Sequence, residues 1–131
     1  MIITVEGDPV GKGRPRFTRQ GRAYTPKKTK EYETRVRRAW IETGGPYLDG
    51  NIQVHIDAYF RMPSGWSRKK MAEMDGKPCT KKPDADNILK SILDGLQGAA
   101  FEDDKQVTRC TVEKYWSRFG CAVIDVELFK E

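Results

Sequence analysis

Histidine occurs once in this chain, as His55, and cysteine three times, as Cys79, Cys110 and Cys121, with no Cys-x-x-Cys pair. A structural zinc site needs four nitrogen or sulfur ligands in paired spacings, so the usual zinc folds are excluded. Three scattered cysteines also speak against a disulfide framework and suit a reducing, cytoplasmic setting. No stretch approaches the ~20 apolar residues of a membrane span. The opening segment alternates instead of forming the apolar core of a secretion signal. Internal repeats, low-complexity tails and linkers are missing too, so residues 1–131 read as one domain.

What the chain does have is charge. Charged residues make up 33% of it and hydrophobic residues 37%, and 24 Lys+Arg against 19 Asp+Glu leave a net charge of +5. A basic balance favours an anionic partner such as nucleic acid, although a charge run is as often a solvated face. The positive charge is concentrated. Residues 9–38 hold eleven Lys/Arg, among them Lys12, Arg14, Arg16, Arg19 and Arg22, against two acids, Glu31 and Glu33. Residues 61–82 add seven more, ending in Lys81 and Lys82.

The hydrophobic pattern predicts an α+β domain, a mixed sheet with helices packed on it, in the order β, α, β, short α, α, β, β. Residues 2–7 read as a strand, and 8–25, punctuated by glycine and proline, as a loop or extended hairpin. A helix is expected from Thr25-Pro26, with Thr25 as its cap and Tyr32, Val36, Ala39 and Trp40 on its apolar face. Ile52, Val54, Ile56, Ala58 and Phe60 alternate as a half-buried strand. A short helix follows at 67–74 and a longer one from about Asp84 to Leu96. Residues 106–117 and 121–129 suggest a hairpin around Phe119-Gly120. Trp40, Trp66 and Trp116 are expected to pack rather than stack on bases, and His55 to face the far side of its sheet as a structural residue. Gly7 to Gly13 superficially resembles a phosphate-binding loop, but the spacing is short and Gly13 stands where a hydroxyl is needed.

The chemistry concentrates in residues 81–106. Ile88, Leu89, Ile92, Leu93 and Leu96 form one face of the longer helix, and Asp86, Asn87, Lys90, Ser91 and Asp94 the other. Asp84 and Asp86 alone are what any helix N-terminus favours, a cap and a first-turn acid. Glu102, Asp103 and Asp104 change the balance. Three consecutive acids repel unless solvated or bound to a cation, and only a few residues separate them from the helix. Together these carboxylates can surround a hard cation, which takes oxygen ligands, so Mg²⁺ is expected, with Mn²⁺ as a substitute and no organic cofactor. An acidic, metal-ready cluster flanked by positive charge suits phosphodiester hydrolysis. The basic groups hold phosphates, the ion polarises the scissile phosphate and activates water, and Lys90 balances the developing charge.

The run Lys82-Pro83-Asp84-x-Asp86-Asn87-Ile88-x-Lys90, then Asp94-Gly95-Leu96, then Asp103-Asp104-x-Gln106-Val107, resembles the RusA family of Holliday junction resolvases. The segment Gly11-Lys12-Gly13-Arg14-Pro15-Arg16-Phe17, with Tyr24-Thr25-Pro26 after it, is similar to the phage and prophage branch of that family. The resemblance implies a RusA-like fold and a homodimeric, Mg²⁺-dependent endonuclease. Such an enzyme cuts four-way DNA junctions by paired incisions, in recombination and repair, in a bacterial or phage-infected cell. It implies Asp84, Asp86 and Asp104 as essential carboxylates and Lys90 as the essential lysine, with Asp103 as a neighbouring metal-ligand candidate. Lys12, Arg14, Arg16, Arg19, Arg22, Lys81 and Lys82 are the candidate DNA contacts. Two other readings stay open: a nuclease for other branched or flapped DNA, and a non-catalytic basic DNA-binding module whose acids only cap and solvate.

Overall fold

Strand alternation and two amphipathic helices are enough to build the molecule, which the computed structural model describes over residues 1–129. The strands are β1 (Ile2–Glu6), β2 (Arg16–Phe17), β3 (Ala23–Tyr24), β4 (Ile52–Arg61), β5 (Val107–Ser117) and β6 (Cys121–Leu128). The helices are α1 (Lys27–Glu42), α2 (Arg68–Met74) and α3 (Ala85–Leu96), with a 3-10 turn at Asp104–Gln106 before β5. The α+β order matches the expectation, and the basic segment takes the hairpin form of its two expected readings, as the small β2–β3 pair.

Four strands form a mixed sheet in the order β1-β6-β4-β5, in which β4 and β5 run parallel and the other neighbours antiparallel. β5 and β6 are therefore not the hairpin their spacing suggests, because β4 lies between them. β4 buries Ile52, Val54, Ile56, Ala58 and Phe60 on one face, which suits a central strand. β5 buries only Trp116 and forms an edge, and residues 118–120 pass the end of β4 to reach β6. The buried face of the sheet, with Ile3, Val5, Ala122, Ile124 and Val126 from β1 and β6, joins one core with Tyr32, Val36 and Trp40 of α1 and Ile88, Ile92 and Leu96 of α3.

α1 and α3 also pack on each other. Gly95 makes this possible: a Cβ there would stand 2.8 Å from the Glu33 carbonyl oxygen and 2.9 Å from Val36 Cβ. Arg37 on α1 donates to the carbonyls of Asp94 and Gln97, satisfying groups that a helix C-terminus leaves free. The start of α1 differs from expectation. Pro26 takes the cap position, makes no side-chain cap bond, and the helix begins at Lys27. Ser67 does cap α2, accepting from the Lys70 N–H. Trp40 is fully buried, and Trp116 packs edge-on against Trp66, so the tryptophans serve packing.

Candidate active site

α3 presents the expected acids because its apolar stripe fixes its rotation against the sheet. Asp84 occupies the N-cap position with no side-chain cap bond, and Asp86 lies in the first turn. Both are exposed, and neither is ion-paired among the described residues. The usual capping role is thus not what Asp84 performs. Both carboxylates sit at the positive end of the helix dipole, which favours negative charge there.

The acidic loop approaches α3 through Lys90. Its Nζ is 2.9 Å from Asp94 Oδ1 and 3.2 Å from Asp104 Oδ2. Hydrogen bonding to Asp94 raises the Lys90 pKa, burial opposes this, and Asp104 adds to the rise. Asp103, the neighbouring metal-ligand candidate, has one carboxylate oxygen engaged by the backbone. Its Oδ1 accepts from the Lys105 N–H at 2.9 Å, and Gln106 Oε1 accepts from the Asp103 N–H, so the pair caps the 3-10 turn. The Lys105 backbone bond is the main cause of a lowered Asp103 pKa. Asp103 thereby shapes the turn that presents Asp104.

Asp84, Asp86 and Asp104 are not drawn as close as a bound ion would hold them. Among the described residues, the one group of three donors lying within 4.8 Å of one another is His55, Asp57 and Glu113, on another part of the molecule. The donor chemistry around α3 still fits a hard divalent cation: the atoms are carboxylate oxygens, two of the side chains are uncommitted, and the third is neutralised by a lysine.

The basic segment is fastened to this helix, which the sequence did not reveal. Ser91, expected on the outer face, is fully buried, and its hydroxyl donates to the Val10 carbonyl at 2.6 Å. The Lys12 N–H donates to the Asn87 carbonyl at 2.8 Å. Thr29 of α1 accepts from the Gly13 N–H and donates to the Gly11 carbonyl. Gly11 lies flat on the entry to α3, where a Cβ would be 2.5 Å from Pro83 Cβ. The Lys12 ammonium then reaches Glu33 at 2.6 Å and Asp94 at 2.9 Å. Asp94, which the sequence placed on the polar helix face and in the family-like run without assigning it a role, is held by both lysines. Burial pushes its carboxyl up, but bonds from Lys12 and Lys90 more than offset this and leave it lowered.

Lys12 is thus engaged in two internal ion pairs in this structure. Lys12 also lines a cavity of about 760 Å³, together with Arg14, Arg16, Lys82, Asp84 and Asn87. Arg19 and Arg22 are exposed around the β2–β3 turn, where the Arg22 N–H donates to Thr18. Lys81 lies 3.9 Å from Asp8. Lys12, Arg14, Arg16 and Lys82 thus stand around the entry to α3, with Asp84 on the same cavity wall.

Two comparisons bear on this arrangement. The family model described as Endodeoxyribonuclease RusA matches residues 6–127, which contain every residue of the site. The chain is also similar to a Bacillus subtilis (strain 168) protein described as uncharacterized protein YqaN, at 33% identity over 123 residues, covering 88% of this chain and 87% of that one.

Proposed function

Because the chain belongs to the RusA endodeoxyribonuclease family, we propose that this nuclease resolves four-way DNA junctions by paired phosphodiester hydrolysis that depends on Mg²⁺ or Mn²⁺. The observation that carries the reading is Lys90, held between Asp94 and Asp104 on the helix whose N-terminus carries the uncommitted Asp84 and Asp86. Acids and a lysine along one helix, with a basic cavity at that helix's N-terminus, are the combination phosphodiester hydrolysis needs.

Asp84, Asp86 and Asp104 would hold the cation, which supplies polarisation of the phosphate and activation of water when bound. Lys90 places its positive charge beside the reacting phosphate and stabilises negative charge on its oxygens. Asp94 orients Lys90. Arg14, Arg16 and Lys82 hold flanking phosphates along the cavity, and Arg19 and Arg22 reach further along the strand. A homodimer places two such sites about a two-fold axis, as paired incision of a symmetric junction requires.

The test is cleavage of a synthetic four-way junction with Mg²⁺ by the wild type and Asp86→Asn. The wild type should cut opposing strands symmetrically and prefer the junction over flap and linear duplex, and the variant should bind but not cut. A variant that folds normally and still cuts would remove Asp86 from the site. Equal cutting of flap or duplex would replace junction resolution with a broader branched-DNA activity.

A further inference from the structure

The sheet face turned away from α1 and α3 carries a second group of donors. Parallel pairing of β4 and β5 sets His55 beside Thr111 and Asp57 beside Glu113. Because Val54, Ile56 and Ala58 point into the core, His55 and Asp57 point out on the opposite face. One donor atom from each of His55, Asp57 and Glu113 lies within 4.8 Å of the other two. His55 Nε2 is 3.0 Å from Asp57 Oδ1, and its Nδ1 is hydrogen-bonded to the Thr111 hydroxyl. The Tyr115 hydroxyl donates to Glu113, and the Tyr115 ring stacks on Tyr59 at 5.5 Å between centroids. These side chains, apart from Thr111, line a cavity of about 310 Å³.

We propose that His55, Asp57 and Glu113 form a metal site separate from the nuclease centre, one that takes a borderline transition ion such as Zn²⁺ in preference to Mg²⁺. Three features support it. Like charges directly opposite on neighbouring strands are destabilising, and Asp57 and Glu113 are such a pair, so a cation between them relieves the repulsion. An imidazole with two carboxylates is a donor set that transition ions favour, whereas Mg²⁺ is held by oxygen alone. Each of two ligands is also braced by a neighbour, the His55 ring by Thr111 and the Glu113 carboxylate by Tyr115, the kind of support that holds ligands in place around a metal. Three protein ligands leave a further position for water or an exogenous donor.

Calorimetric titration of the full chain with Zn²⁺, and separately with Mg²⁺, at a pH where imidazole is neutral tests this directly. One Zn²⁺ site per chain should survive Asp86→Asn and weaken at least tenfold in His55→Asn, while the Mg²⁺ response is unchanged in His55→Asn. Co²⁺ gives an independent readout: its visible absorption should show imidazole ligation in the wild type and lose it in His55→Asn. Glu113→Gln, on an exposed edge-strand position, should weaken Zn²⁺ as well and covers the case in which His55→Asn folds poorly. Zn²⁺ affinity within twofold of wild type in both His55→Asn and Glu113→Gln, or abolished by Asp86→Asn alone, would overturn the assignment. The outcome is independent of whether junctions are cleaved.

Discussion

Asp94 and Lys12, far apart in sequence, are joined by a 2.9 Å ion pair that ties the basic N-terminal segment to the helix carrying the candidate active site. The same carboxylate holds Lys90 at 2.9 Å, and Lys90 reaches Asp104. The order Lys12–Asp94–Lys90–Asp104 alternates in sign from the arm to the acidic loop.

Asp94→Asn should therefore act on stability and turnover together. Removing a half-buried charge that accepts two charged hydrogen bonds costs about 1.5–3 kcal/mol by the usual range, measurable by urea denaturation. Lys90 loses one of its two anchors, so junction cleavage should fall while junction binding changes little. A variant as stable and as active as the wild type would show that the pairings are incidental.

The same residue sets a pH signature. The Asp94 carboxyl is lowered from 3.8 in the folded chain, so the unfolded chain binds more protons in the acid range. Its contribution is complete above about pH 4, the unfolded value, and is lost as pH falls through the lower folded value. The stability gap between the wild type and Asp94→Asn should be full at neutral pH and close on acidification. Denaturation curves from pH 7 down to pH 2.5 read this, and a gap that widens in acid contradicts it.

Gly95→Ala separates helix propensity from packing. In an exposed helix alanine would gain about 1 kcal/mol over glycine. Here the added methyl meets the Glu33 carbonyl and Val36, and overpacking of this kind costs about 1–3 kcal/mol. The melting temperature should fall, and a rise would show that α1 and α3 separate without cost.

How much of this was legible beforehand follows from where each signal resides. The apolar stripe of α3 and the alternation of β4 are local patterns, and both elements occur where periodicity places them. The pairing of β4 with both β5 and β6 is not local: adjacent strands of a chain usually pair, and only the burial of alternate β4 residues against exposed β5 marks which is central. Asp84, Asp86, Lys90 and Asp104 stand out as candidates because the acids and lysine lie within a short segment. Asp94 and Ser91 do not, because their partners Lys12 and Val10 come from the arm. A polar residue on a helix reads as solvent-facing until something covers it. His55 showed only its strand phase, since Glu113 and Thr111 reach it through a parallel pairing that no short-range pattern announces.

The basic arm should work through phosphates rather than bases, which makes salt the discriminating variable. Arg14 and Arg16 are exposed and line the cavity beside Asp84, whereas Lys12 is committed to Glu33 and Asp94. Arg14→Ala and Arg16→Ala should each weaken junction binding across sequences and reduce the slope of log affinity against log salt by about 1. Cleavage at saturating DNA should be nearly unchanged, since neither arginine belongs to the acidic group. Lys12→Ala should differ. Its ammonium already neutralises internal carboxylates, so stability should fall and the salt slope should change little, unless DNA draws Lys12 away from Asp94. Electrophoretic titrations of a four-way junction at several salt concentrations, alongside urea denaturation of the free variants, distinguish the two behaviours. A full unit of slope lost in Lys12→Ala, with stability intact, would reassign Lys12 from a structural tie to a phosphate contact.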